Sequence, residues 1–94
     1  MPGVEEVSID VQDVDYEWFR DVAAYLDRDC DRYYLPRESA ERMGEIDEET
    51  GNFFLIDGQV EAKAEEIEVG GRRLPVWSVG CSELVSRPSG NNPT

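Results

Sequence analysis

Apolar and polar residues mostly alternate at the start of the chain, where Val4, Val7, Ile9 and Val11 predict a first strand over 4–11. The spacing then changes. Tyr16, Phe19, Val22, Ala23 and Leu26 recur at i, i+3, i+6, i+7 and i+10, the stripe of an amphipathic helix over 15–27. Asp13 or Asp15 can cap that helix and favour its positive end. Tyr33-Tyr34-Leu35 reads as a short extended piece, because a residue before proline is biased away from helix. Pro36 suits the first position of a second helix over 36–46, with Ala40, Met43 and Ile46 as a thin apolar face.

Beyond a turn at 47–51 the pattern is that of a meander. Asp57-Gly58 is a two-residue hairpin signal between strands 53–56 and 60–69, and Gly70-Gly71 closes a second hairpin onto 72–85. These turns set Leu55 opposite Val60, Phe53 opposite Ala62, Ile67 opposite Leu74, and Glu68 beside Arg73. The apolar positions switch parity between Ala64 and Ile67, and again between Val76 and Trp77. A one-residue slip turns every side chain to the other face. A bulge near Glu65-Glu66 and a bend near Pro75–Trp77 are therefore expected, giving a curved sheet. The predicted fold class is α+β: an N-terminal strand, two helices, then a bent three-stranded antiparallel meander that can close into a partial barrel. Residues 1–85 form one domain, and 86–94 are a polar, flexible tail.

Charge changes what such a domain is suited to touch. Its 94 residues carry 22 acids against 9 bases, a net charge of −13, and the bases are all arginine except Lys63. Direct binding to nucleic-acid phosphate needs clustered cations, and an anionic membrane would repel this chain for the same reason. The apolar run Phe53-Phe54-Leu55-Ile56 is far short of a membrane span, and the first residues lack a secretory pattern. The expected location is cytoplasmic, or a host cytoplasm or virion for a viral protein. High acidity with arginine favoured over lysine resembles haloarchaeal proteins, which implies salt adaptation; the competing reading is an acidic face that steers a basic partner.

Candidate chemistry is sparse. There is no histidine, and Cys30 and Cys81 have no metal-binding spacing, so neither a zinc site nor a histidine base is available. Asp27, Asp29, Asp31 and Glu38 fall at positions 1, 3, 5 and 12 of a stretch that resembles an EF-hand calcium loop. Arg32 stands where that loop needs glycine, so the preferred reading is a solvated acidic helix end with no metal. No cofactor motif and no catalytic constellation is present, and an enzyme is not expected. The residues selected to face a partner are Asp27, Asp29, Asp31, Glu61, Glu65 and Trp77: carboxylates that can imitate phosphate spacing, with one aromatic anchor. In size and charge the chain resembles small acidic inhibitors that mimic nucleic acid. The expected function is thus a non-enzymatic acidic binding module for a basic protein. The alternative is a small structural or accessory subunit of a halophilic organism or its virus.

Overall fold

A computed structural model describes residues 4–55 and 60–89. Among them the chain forms nine strands and one α-helix: β1 (Val4–Gln12), β2 (Trp18–Asp27), β3 (Arg32–Pro36), α1 (Arg37–Met43), β4 (Gly44–Ile46), β5 (Phe53–Leu55), β6 (Val60–Ala62), β7 (Ala64–Val69), β8 (Arg72–Gly80) and β9 (Ser86–Pro88). The α+β expectation with two helices is corrected to a mostly β fold. Six strands make one antiparallel sheet in the order β7-β8-β3-β2-β1-β9, and β4-β5-β6 make a second.

The largest correction is the first helix, which is strand β2. Its apparent helical period comes from a β-bulge. Ile9 pairs with Val22 and Val11 with Phe19, so Arg20 and Asp21 together oppose the single residue Asp10. That extra residue resets the alternation and brings Phe19 onto the face of Val22, Ala24 and Leu26. An i, i+3 spacing thereby arises in an extended chain. Asp21 absorbs the distortion at φ 56. The bulge is held from two sides. Asp10 accepts the Asp21 backbone N–H at 3.0 Å, while Arg42 of α1 donates to the carbonyls of Arg20 at 2.8 Å and Asp21 at 3.1 Å.

The second helix is real but ends early, because the chain turns into β4 at Gly44. A Cβ at Gly44 would collide with the carbonyl oxygen of Phe54 on β5, so this crossing requires glycine. In the small sheet Leu55 pairs with Val60 and Phe53 with Ala62, as the hairpin signal predicts. The Asp57-Gly58 turn itself lies outside the described residues.

The second hairpin also has the expected register, with Ile67 opposite Leu74 and Glu68 opposite Arg73. The expected bulge at Glu65-Glu66 is absent: pairing is continuous from Ala64–Trp77 to Val69–Arg72. No slip takes its place: Ala64 lies with Trp77 on the core side, while Ile67 and Val69 lie with Glu65 on the opposite face, so the apolar residues of β7 simply divide between its two faces. In β8 the run Val76-Trp77-Ser78-Val79 is buried on both faces, which explains its second parity change. Ser86–Pro88, expected in the loose tail, forms the edge strand β9 against β1.

One face of the large sheet supplies Ile9, Val11, Val22, Ala24, Leu35, Trp77 and Val79 to the core. Ala40 and Met43 of α1 and Phe53, Leu55 and Ala62 of the small sheet pack against them. Each large apolar side chain buried this way contributes about 1.5–3 kcal/mol before entropy is counted. The opposite face of the large sheet is left to carry the candidate site.

Candidate partner-binding surface

The hairpin joining β2 to β3 gathers three of the selected acids. Asp27 Oδ1 accepts the backbone N–H groups of Asp29 at 3.0 Å and Cys30 at 3.2 Å, folding the turn over its own carboxylate. Asp31 adopts φ 57, and its carbonyl accepts the Cys81 N–H at 2.9 Å. Asp29 and Asp31 are exposed, and Asp27 is half-buried. This strand-to-strand turn replaces the helix–loop–helix that the EF-hand spacing needs, so the calcium-loop resemblance is corrected.

From that turn the acidic surface continues across the sheet. Tyr25, Tyr34 and Ser78 lie side by side on β2, β3 and β8, on the face away from the core. Arg32 donates to Ser78 Oγ at 3.0 and 3.1 Å, and that hydroxyl donates to Glu65 Oε2 at 3.0 Å. The relay fixes the Glu65 carboxylate beside Tyr34. Burial, then the negative charges of Asp27 and Glu65, raise the Tyr34 hydroxyl above its ordinary pKa, so it stays a neutral donor. Two tyrosines, Asp27 and Glu65 thus share one face of the sheet.

Two selected residues stand apart. Glu61 is exposed on β6 of the other sheet, where Asn52 Nδ2 donates to it at 2.7 Å. Trp77 is 2% exposed and belongs to the core; its Nε1–H donates to the Gly51 carbonyl at 2.9 Å. Trp77 is therefore withdrawn from the partner-facing set. The aromatic side chains on the outer face of the sheet are instead Tyr25 and Tyr34.

Sequence reasoning also missed Asp10, the one buried acid among the described residues. It accepts the Ser89 hydroxyl at 2.6 Å and the Arg87 guanidinium at 3.4 Å in addition to the Asp21 N–H. These hydrogen bonds, the Ser89 one foremost, hold its pKa below the usual carboxylate value. Arg87 also lies over the Trp18 ring, 3.9 Å from its centroid, fastening β9 to the sheet. Only the acid's donors, spread over distant segments, mark it as special.

Cys30 and Cys81 are free thiols. Asp27 raises the pKa of Cys30, and burial with Asp31 raises that of Cys81, so neither is an activated nucleophile at neutral pH. Among the described residues no three metal-binding side chains are gathered, and no helix is long and apolar enough to cross a membrane. No protein-family model matches the chain, and neither curated proteins nor solved structures yield a match.

Proposed function

We propose that this chain is a non-enzymatic binding protein whose acidic sheet face engages a basic protein. The observation that supports the reading is the convergence of Asp27 and Glu65 on Tyr34, beside Asp29 and Asp31. Every described acid other than Asp10 is exposed or half-buried. Only Glu5, Asp10, Glu41, Glu48 and Glu66 reach a described cation, at 2.7–3.9 Å. The remaining charge is unspent inside the molecule and available to an oppositely charged surface. Where the basic partner normally holds a nucleic acid, these carboxylates stand in for its phosphates.

The test is fluorescence anisotropy of the N-terminally labelled chain titrated with protamine as the basic probe. Binding is expected at low salt and should fade as KCl rises from about 0.05 to about 0.5 M. The double variant Asp27→Asn, Glu65→Gln should weaken it about three- to tenfold at low salt. Equal binding by the variant and the parent would remove this face from the reading.

A further inference from the structure

A second surface carries apolar contact area in place of charge alone. The described residues include three exposed large hydrophobics, Val14 at 37%, Tyr16 at 79% and Val85 at 60%, and all three border one cavity of about 290 Å³. Its floor is made by Leu55 and Leu84, both part of the core. Asp13 and Glu83 complete the wall, and among the described residues no cation lines it.

The cavity is held in shape before anything enters it. Asp13 Oδ1 accepts the N–H groups of Asp15 and Glu17, both at 2.9 Å, and the Tyr16 N–H donates to the Asp13 carbonyl at 3.1 Å. Gln12 Nε2 donates to the Tyr16 carbonyl at 3.3 Å, and the Gln12 N–H donates to the Val85 carbonyl at 2.9 Å. Glu83 is anchored too, accepting the Gly80 N–H at 2.6 Å. Tyr16 sits at φ 66, a left-handed conformation that bulky residues seldom adopt, and its ring is presented to solvent.

We infer that this cavity is a socket for one apolar side chain of a partner protein's basic segment, a leucine, isoleucine or methionine between arginines or lysines. At about 290 Å³ the cavity has room for one large apolar side chain, and it opens broadly to solvent, unlike the clefts that bury most of a small ligand's surface. A preformed wall with an exposed tyrosine is the arrangement of an interface hot spot. Carboxylates at Asp13 and Glu83, with Asp15 and Glu17 in the adjoining turn, select cations on either side of the anchor. A second copy of this chain would bring its own net charge of −13 against the same rim, which disfavours self-docking. The socket rests on the reading that the partner is a basic protein, and adds to it a second, apolar contact.

The experiment is an amide-shift titration of the ¹⁵N-labelled full chain with three synthetic peptides. One has a central leucine between arginine pairs, one has alanine at the centre, and one keeps leucine but replaces the arginines by glutamates. The arginine–leucine peptide should shift Val14, Tyr16 and Val85 and bind about tenfold tighter than the alanine peptide. The glutamate peptide should leave those amides in place. Tyr16→Gly, which removes the ring while relaxing the left-handed backbone, and Val85→Ser, at an exposed site, should each keep the melting temperature and abolish the leucine preference. Equal affinity for leucine and alanine peptides, both lost with salt, overturns the socket and leaves the basic-partner reading standing. No binding of either arginine peptide overturns both. A concentration-dependent dimer that Tyr16→Gly dissolves assigns the cavity to a second copy and overturns the proposal.

Discussion

Asp10 on β1 accepts the backbone N–H of Asp21 on β2 across the bulge, at 3.0 Å, and the same carboxylate receives Arg87 and Ser89 from the C-terminal edge. One buried side chain therefore fixes the point where β2 changes parity and the point where β9 joins the sheet. The consequences can be measured.

The pKa of Asp10 is lowered in the folded state, chiefly by the Ser89 and Asp21 hydrogen bonds. A depressed carboxylate stabilises the fold at pH values above its ordinary pKa, and this contribution is lost as pH falls through the folded value. Asp10→Asn should melt below the parent at pH 7. The difference should begin to shrink below about pH 4 and close as pH falls through the lowered folded value, where the parent's carboxylate takes up a proton. A gap that does not change with pH would contradict the role given to the charge.

Gly44 gives a sharper structural test. Alanine is the better helix former, so propensity alone predicts that Gly44→Ala stabilises the end of α1. The Cβ, however, would overlap the Phe54 carbonyl where β4 meets β5. Overpacking against backbone costs about 1–3 kcal/mol, and urea unfolding should show a loss of that order. A gain in stability would mean that the small sheet is not paired as described.

Trp77 separates core from surface. Trp77→Phe keeps a ring in the core but leaves the Gly51 carbonyl without its indole donor. A loss of about 1–3 kcal/mol is expected. Leu35, fully buried on the neighbouring strand, should cost about 2–5 kcal/mol on replacement by alanine. Protamine affinity should be unchanged in Trp77→Phe at a temperature where the variant is folded. A selective loss of binding would return Trp77 to the partner-facing set.

What the sequence discloses depends on how local the determinant is. The Gly70-Gly71 hairpin and its register were legible, because the turn type and the residues on either side decide both. The pairing of Phe53 with Ala62 followed in the same way. Strand β2 was not legible. Its bulge depends on Asp10, Arg42 and Asp21, which lie far apart in sequence, and the inserted residue makes Phe19 and Val22 repeat like helix positions. The same limit applies to Trp77: a tryptophan among Val76, Ser78 and Val79 has no local sign of which face is covered. Among the site residues, Asp27, Asp29 and Asp31 formed a visible run, whereas the approach of Glu65 to Tyr34 requires the β3–β8 and β7–β8 pairings.

Acidity itself predicts a salt response. Few exposed carboxylates have a cation partner among the described residues, so their mutual repulsion opposes folding at low ionic strength. The melting temperature should rise as KCl increases, most steeply while the Debye length shortens from about 30 to about 8 Å. A rise that continues into the molar range favours the second reading, an accessory subunit of a salt-adapted organism. A flat response removes that reading and weakens the picture of an uncompensated surface.

The claim that this surface replaces a nucleic acid on a cationic protein is met most directly by competition. A complex of labelled duplex DNA with protamine, titrated with the unlabelled chain at low salt, should release the DNA in proportion to chain added. The Asp27→Asn, Glu65→Gln variant should need several-fold more protein for the same release. DNA that remains bound at a large excess of the parent chain would contradict the account.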